Sequence, residues 1–401
     1  TLGSNAFTNT GSVKYLDQSS YSNGNDTYYY TIDTDGNAII VGCTTTSVNI
    51  TLPVMLGGYP VVAVGYRGMA DCTTLTSVTI PNNIVRLELY AFAGCTGLTT
   101  ATIPATCQYV GDYAFIDCTS LATVTINEGV SYLGDYCFYN CSALTGIVVP
   151  DSCEYLGKYA FYNCTSLESA TIGITVPAIQ EYTFYNCEKL ISVTIGLSVE
   201  QIGDYAFYNT ALTRVTTPFV LESIGDYAFA ECELIERVTL RSGFLSIGDG
   251  AFMNDAALTT VNFPSTMTDI GAYAFYGCSS LASVTIPELV ERIEDYTFAY
   301  CTALSQATVN GTITYIGDSA FYRDALTAFT FTEGLTEVGR DAFAYNALME
   351  IELPDTLGTI GEQAFNECSA LQIVSMPDSV TYVGAYAFSA NAADLTITVR
   401  Y

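Results

Sequence analysis

The sequence predicts an α/β protein built as a right-handed solenoid of stacked repeats. One continuous parallel β-sheet is expected, with short helices or turns opposite it and a β-hairpin-like cap at the N-terminal end. Phenylalanines recur almost every 23 residues, each repeat contains a short alternating strand pattern, and half of the 401 residues are hydrophobic. Such a spacing is typical of repeats that bury one shared core by stacking.

The repeat is defined by one anchor residue, usually the Phe of an Ala-Phe pair. Met69 fills the anchor position one repeat before the first Phe, which gives fifteen anchors. The step shortens to 22 residues after Phe207, Phe321 and Phe343, and the residue is lost just after the anchor in each case. The phenylalanine anchors are Phe92, Phe115, Phe138, Phe161, Phe184, Phe207, Phe229, Phe252, Phe275, Phe298, Phe321, Phe343, Phe365 and Phe388.

The first half of each repeat reads as a short strand. In "LTSVTIP" at 75–81, Val78 and Ile80 alternate with Thr79, so one face of the strand is expected to point inward. Pro81 follows directly and ends the strand without removing an interior hydrogen-bond donor. The outward position between the two apolar residues is Thr in most repeats, which predicts a threonine stripe along one face of the sheet.

The second half of each repeat, as in "IGDYAFYN" at 202–209, reads as a tight turn followed by a one-turn helix. An acidic residue follows the Gly in many repeats, and we expect it to cap the helix by accepting backbone N–H bonds. The stacked column also leaves open weak binding of divalent cations, although the pattern of an EF-hand loop is missing. The aspartates of this column are Asp112, Asp135, Asp204, Asp226, Asp249, Asp295 and Asp318.

Ten of the fourteen cysteines lie three residues after an anchor. Cys141 belongs to this ladder, so its pairing with Cys137 as a metal or redox site is disfavoured, because no His or third Cys joins them. Parallel stacked side chains point alike rather than at each other, which favours buried free thiols over disulfides. The same position is Asp255 or Asp324 in two other repeats.

Composition excludes several function classes. Twelve basic residues against 41 acidic ones give a net charge of −29, which opposes binding to nucleic acid or to an anionic membrane. The absence of His removes the usual general base and the His-containing catalytic and zinc sites, and no cofactor is predicted. Neither an apolar run long enough to span a membrane nor a signal peptide at "TLGSNAFTNT" is expected.

Two surfaces are candidates for binding. One consists of Arg214, Glu236 and Arg237, which are irregular charged residues on the strand surface that carries the threonine stripe. The other, the tyrosine strip, carries a Tyr two residues before and one residue after each of four consecutive anchors, and Tyr offers apolar area plus a hydroxyl. Self-packing of stacked tyrosines is the favoured explanation of the strip, and β-branched filler is the favoured explanation of the threonine stripe. The tyrosine strip comprises Tyr136, Tyr139, Tyr159, Tyr162, Tyr182, Tyr185, Tyr205 and Tyr208.

The repeat unit, close to "LTSVTIPxxVxxIGDYAFxxCxxL", resembles the BspA-like class of bacterial leucine-rich repeat, over roughly residues 64–394. The stretch 35–65 is similar to the amino-terminal capping region of that family. The resemblance divides the chain into a segment with a capping region at 1–63 and a leucine-rich repeat solenoid at 64–401. It implies an exported protein of the bacterial cell surface that takes part in adhesion.

The predicted function is therefore a non-catalytic adhesion module that presents an extended surface to a protein or glycan of a host or matrix. A catalytic site needs a constellation that occurs once, whereas nearly every polar residue here recurs with the repeat. A passive surface spacer is the alternative. A glycan-active enzyme is least favoured, because it would need two paired carboxylates in a cleft and no such cluster stands out.

Overall fold

The computed structural model describes residues 18–400, and the chain divides into two compact units between Val199 and Glu200. Both units are β-solenoids made of short, mostly parallel strands. Residues 18–400 contain no helix, and therefore none that could cross a membrane. The stretch "TLGSNAFTNT" lies outside the described residues, and the division at residue 63 stays a prediction.

The first unit begins with an antiparallel arrangement that matches the predicted hairpin-like cap. The cap strands are β1 Ser19–Ser22, β2 Asp26–Ile32, β3 Ala38–Thr45, β4 Asn49–Thr51, β5 Met55–Leu56 and β6 Tyr59–Val64. Strands β1 and β2 pair antiparallel, as do β2 and β3, and β3 then pairs parallel with β6. β5 and β6 form a second small hairpin, and β4 adds a parallel strand beside the first repeat strand.

The coils of the first unit carry two parallel tracks of strands instead of the single continuous sheet that was predicted. The face strands come from the V-x-I motif, and the two-residue short strands come from the aliphatic residue before the Gly and its predecessor. In chain order, face and short strands alternate as β7 Ser77–Thr79, β8 Arg86–Leu87, β9 Thr100–Ile103, β10 Tyr109–Val110, β11 Thr123–Ile126, β12 Tyr132–Leu133, β13 Gly146–Val148, β14 Tyr155–Leu156, β15 Ser169–Thr171, β16 Ala178–Ile179 and β17 Ser192–Thr194.

The second unit repeats the two tracks. Its short strands are β18 Gln201–Ile202, β20 Ser223–Ile224, β22 Ser246–Ile247, β24 Asp269–Ile270, β26 Arg292–Ile293, β28 Tyr315–Ile316, β29 Glu337–Val338, β31 Thr359–Ile360 and β33 Tyr382–Val383. Its face strands are β19 Arg214–Thr216, β21 Arg237–Thr239, β23 Thr260–Asn262, β25 Ser283–Ile286, β27 Gln306–Val309, β30 Glu350–Glu352, β32 Ile373–Pro377 and β34 Thr396–Arg400. The outward surface of the face strands is called the strand face below.

Stacked anchor rings form the centre of the core in each unit, as predicted. Phe138 and Phe161 lie with ring centroids 5.6 Å apart, and Phe161 and Phe184 lie 5.3 Å apart, all three fully buried. Each face strand adds alternating inward residues, such as Val124 and Ile126, beside these rings. The repeat therefore closes one core in each unit, because every coil covers the apolar edge of its neighbour.

The predicted one-turn helix is wrong, and backbone conformation explains why. Two residues before and two after each anchor, the chain enters the left-handed region, as at Tyr136 with φ 58° and Asn140 with φ 59°. All non-glycine residues with positive φ among those described lie at these two positions. Left-handed residues interrupt an α-helix, so the turn segment from Tyr136 to Asn140 forms no i to i+4 ladder.

The N–H groups of the turn segment bond to the next coil instead. Tyr136 N–H donates to the Lys158 carbonyl at 2.9 Å, Phe138 to Ala160 at 2.9 Å, and Asn140 to Tyr162 at 2.8 Å. The intervening Tyr139 N–H stays within its own coil and reaches the Tyr136 carbonyl at 3.1 Å. Alternate N–H groups thus tie each turn to its successor, which satisfies buried donors that a short helix would leave open.

The aspartate column also differs from the predicted helix caps. Asp112 Oδ1 accepts the backbone N–H of Asp135 at 3.1 Å, and Asp135 Oδ1 accepts that of Lys158 at 2.9 Å. The other five predicted caps, Asp204, Asp226, Asp249, Asp295 and Asp318, each accept an N–H from the same position of the following coil. These carboxylates therefore connect consecutive coils instead of capping a helix within one coil.

The cysteine ladder connects coils through its thiols. Cys141 Sγ donates to the Phe115 carbonyl at 3.3 Å, and Cys164 Sγ donates to the Phe138 carbonyl at 3.4 Å, in each case 26 residues back along the chain. Burial raises the pKa of the Cys164 thiol to about 12, so it remains protonated and able to donate. Cys137, one residue before its anchor, is fully buried.

The shortened repeats lose their residue where the sequence predicted. After Phe161, a turn separates Cys164 from the buried Leu167, whereas after Phe207 the chain passes from Thr210 to Leu212 with no such turn. Face strand β19 consequently begins one residue earlier relative to its anchor than β17 does. The loop absorbs the deletion, so the short strands on either side stay in register, as Gln201 with Ser223 and Tyr315 with Glu337.

Replacing Phe161 with Ala is expected to lower the free energy of unfolding by about 3–5 kcal/mol, because stacked rings on both sides prevent the cavity from closing. Chemical denaturation followed by circular dichroism measures the loss. Tyr162→Ala, which truncates the neighbouring half-buried ring, is the control and should cost clearly less. Equal costs for the two substitutions would show that the anchor position is not the core.

Candidate binding surfaces

In the first unit, the tyrosines of the strip form two columns of stacked rings. Rings two residues before the anchors stack at 4.5 Å between Tyr136 and Tyr159 and at 4.6 Å between Tyr159 and Tyr182. Rings one residue after the anchors stack at 4.8 Å between Tyr139 and Tyr162, with the planes 7° apart. Within a coil the two columns touch, since Tyr136 and Tyr139 lie 5.6 Å apart.

In the second unit, Tyr205 and Tyr208 repeat this arrangement with ring centroids 5.8 Å apart, and Tyr205 stacks on Tyr227 at 5.0 Å. All eight tyrosines of the strip are half-buried. Because parallel stacking covers ring faces, the strip offers a surface mainly of ring edges and hydroxyl groups. The predicted pairing within coils is present, and a binding role for the strip remains a prediction.

The three predicted strand-face residues come together in the second unit. Strand pairing places Arg214 directly beside Arg237, and both side chains are exposed. Glu236 is also exposed, and its backbone bonds to Thr213 and Thr259 on either side. Together with neighbouring threonines, these residues line a groove of about 450 Å³. Arg214, Glu236 and Arg237 therefore form one contiguous site on the strand face.

Arg214 and Arg237 differ from six of the eleven basic residues within residues 18–400. Neither makes an ion pair within residues 18–400, nor does Glu236. Two like charges in register on adjacent strands oppose each other, so this pair is not explained by folding stability. The basic residues that do make ion pairs are Arg67, Arg86, Lys158, Arg292, Arg340 and Arg400.

Two buried acids, Asp255 and Asp324, occupy the position that is Cys in most other coils. Asp255 Oδ1 accepts the Cys232 N–H, and Asp324 Oδ1 accepts the Cys301 N–H, both at 2.9 Å. The second carboxyl oxygen of each is buried and has no hydrogen-bond partner within the described residues. Burial raises the pKa of both carboxyls well above the ordinary value, so they are expected to be neutral at pH 7.

These acids do not form the carboxylate pair of a glycosidase. Asp255 and Asp324 belong to coils three repeats apart, and each is enclosed by its own loop. Among residues 18–400, no group of three or more acids or cysteines is arranged to hold a metal ion. The acidic column is instead occupied with backbone N–H groups, as described for Asp112 and Asp135.

One aromatic cluster was missed by sequence reasoning. Tyr300 and Tyr345 stand two residues after their anchors, a position that is usually Asn, Asp or Gly, and both rings are exposed. Tyr276 and Tyr322, one residue after theirs, belong to the same cluster. The signal was the departure from Asn at the second position, but the abundance of Tyr in the neighbouring columns concealed it.

Comparison with known proteins identifies the repeat. A family model described as BspA type leucine rich repeat region, in six copies, matches residues 62–191, 177–305, 222–349 and 291–399. A leucine-rich repeat protein from Bacteroides ovatus ATCC 8483 is similar in structure, with 21% identity and a TM-score of 0.60 over 95% of this chain and 100% of that one. This similarity supports the solenoid fold.

A leucine rich cell surface protein from Faecalibacterium prausnitzii A2-165 shares 26% identity with this chain. The match has a TM-score of 0.48 and covers 96% of this chain and 94% of that one. No match was found among curated proteins.

Asp255→Asn is expected to raise the free energy of unfolding at pH 7 by about 1–3 kcal/mol. Asn fits this position, since Asn346 accepts the Leu326 N–H and donates to the Phe321 carbonyl. The folded-state pKa of Asp255 is raised, so its stabilising contribution is complete below the unfolded pKa near 4 and is lost as the pH rises.

The gain from Asp255→Asn should therefore vanish below about pH 4. Denaturant unfolding at several pH values measures it, with exposed Asp378→Asn as a control for the lost negative charge. A gain equal to that of the control, or one independent of pH, would contradict a buried neutral carboxyl.

Proposed function

The chain belongs to the BspA type leucine-rich repeat family, and on that premise we propose that it is a non-catalytic binding module of the bacterial cell surface. Leucine-rich repeat proteins are interaction or surface modules, and a solenoid offers a long regular platform for contacts. Display at the cell surface and adhesion to a host or matrix follow from the family resemblance. The partner contacted by the strand face is a protein.

One observation carries this proposal: Arg214 and Arg237 are exposed, lie in register, and have no acidic partner among residues 18–400. An acidic group from a partner would relieve the repulsion between the two guanidinium groups and could accept hydrogen bonds from both. Arg is also enriched among the residues that dominate binding energy at interfaces. The site therefore gains a favourable interaction only when a partner is present.

Glu236 indicates the kind of partner. Its exposed carboxylate beside two arginines makes the site mixed in charge, so a uniformly anionic chain would be repelled on one side. A protein surface with an acidic residue next to a basic or amide group complements this arrangement. The tyrosine strip is proposed as a second contact surface, which would use its hydroxyl groups and ring edges.

Charge removal at the strand face is expected to weaken binding. The variant Arg214→Gln/Arg237→Gln uses the residue that stands at the same strand position in Gln306. Surface plasmon resonance against immobilised fibronectin, fibrinogen, laminin and type I collagen should show a loss of about tenfold or more for whichever of these the protein binds. The matched control is Lys158→Gln/Arg340→Gln, which removes the same charge from residues engaged in ion pairs.

A second variant tests the strip by replacing Tyr139, Tyr162, Tyr185 and Tyr208 with Ser. Loss of binding only in this variant would move the contact surface to the strip. Binding that survives both sets in folded protein would exclude both surfaces. A wild-type protein that binds none of the four probes would favour the passive spacer.

A further inference from the structure

Four tyrosines of the second unit are arranged differently from every stacked column described above. Tyr276, Tyr300, Tyr322 and Tyr345 lie on successive coils with ring centroids 5.2, 5.4 and 5.4 Å apart. Their planes are inclined by 58°, 66° and 77°. Together with Arg323 they are called the tilted ridge.

The tilt has a cause in the sequence. Tyr276 and Tyr322 stand one residue after their anchors, whereas Tyr300 and Tyr345 stand two residues after theirs. Of the four slots that would complete the two columns, three hold the small residues Gly277, Ala299 and Ala344, and the fourth holds Arg323. No ring has an equivalent ring directly above or below it, so parallel stacking cannot form.

Parallel stacking therefore does not cover these ring faces, and over Tyr345 the Arg323 guanidinium takes the place of a neighbouring ring. Tyr300 is 36% exposed and Tyr345 is 38% exposed, whereas all eight tyrosines of the strip are half-buried. An exposed aromatic face is a platform on which a flat apolar surface can stack. The strip therefore exposes mainly the edges of its tyrosine rings, whereas the tilted ridge also exposes part of the ring surfaces.

Arg323 supplies a positive charge at the same place. Its guanidinium carbon lies 4.3 Å from the centre of the Tyr345 ring, and its Nε donates to the Tyr322 hydroxyl at 3.1 Å. It makes no ion pair within residues 18–400. The two aromatic contacts orient the guanidinium, while its terminal N–H groups remain available for a carboxylate.

We propose that the tilted ridge binds an acidic oligosaccharide. A pyranose ring would stack its C–H face on Tyr300 or Tyr345, and a carboxylate fixed on that ring would accept hydrogen bonds from Arg323. A uronic acid joins both features in one rigid unit, so little conformational freedom is lost on binding. An acidic peptide carries its carboxylate on a flexible side chain and has no such face beside it.

This site is independent of the proposed protein partner. It uses residues just after four anchors of the second unit, whereas the proposed protein contacts use the face strands β19 and β21 and the tyrosine strip, none of whose residues belongs to the tilted ridge. Failure of the strand-face variant therefore leaves the glycan inference untouched, and failure here leaves the protein site untouched.

The test measures binding of hexagalacturonate by isothermal titration calorimetry and by saturation-transfer NMR. Its fully methyl-esterified form keeps the sugar rings but lacks the charges, and hexaglutamate supplies the charges on a peptide. The variant Tyr300→Asn/Tyr345→Asn uses the residue that occupies this left-handed position elsewhere, as at Asn140 and Asn254, so the backbone is preserved. Arg323→Asn uses the same substitution, and Tyr132→Ala removes a half-buried stacked ring outside the strip and the tilted ridge as a control.

Wild-type protein should bind hexagalacturonate more tightly than the ester or hexaglutamate. The double tyrosine variant should lose about tenfold or more in affinity for both sugars, whereas Arg323→Asn should lose affinity only for the acidic one. Affinity should be unchanged in Tyr132→Ala.

Several results would overturn the inference. They are no binding of hexagalacturonate at millimolar concentration, undiminished binding by the folded tyrosine variant, or equal binding of hexaglutamate with the same dependence on Arg323. Thermal melting of each variant shows that folding is intact.

Discussion

The hydrogen bonds that leave each turn segment and reach the next coil are the interaction on which the rest of the structure depends. Alternate N–H groups, as at Tyr136, Phe138 and Asn140, donate to carbonyls 22 residues further along the chain. This direction requires left-handed backbone on both sides of the anchor, and it leaves one more N–H per coil to be satisfied. Aspartate side chains accept that N–H, and cysteine thiols complete the pattern by donating to anchor carbonyls.

Coil-to-coil bonding at a fixed spacing also decides what the surfaces can do. Identical aromatic residues in consecutive coils stack on one another, with ring centroids 4.5 Å apart for Tyr136 with Tyr159 and 4.8 Å apart for Tyr139 with Tyr162. Stacking hides their faces, so regularity mainly serves stability. Exposed side chains that are free to contact a partner occur where the repeat changes residue type. Examples are Arg214 and Arg237 on the strand face and Tyr300 and Tyr345 on the tilted ridge.

The sequence predicted the features that follow from hydrophobic spacing. Only a buried core explains the regular spacing of the anchors, of the inward face-strand residues and of the inward cysteines. Arg214 and Arg237 were visible as irregular charged residues on the strand surface. The helix was wrongly predicted because apolar spacing does not report the sign of φ. Asn, Asp and Gly at the second residue after the anchor were the available signal, but Tyr at the second residue before it, as at Tyr136, is not typical of left-handed backbone.

Amide hydrogen exchange at the turn segments tests the central claim most directly. In a one-turn helix, the first N–H groups have no acceptor and exchange rapidly. Bonding to the next coil predicts strong protection of the amides of Tyr136, Phe138 and Asn140 in the native protein, comparable to that of the face strands. Exchange of these three amides at the rate of an unstructured peptide, while the face strands stay protected, would contradict the account.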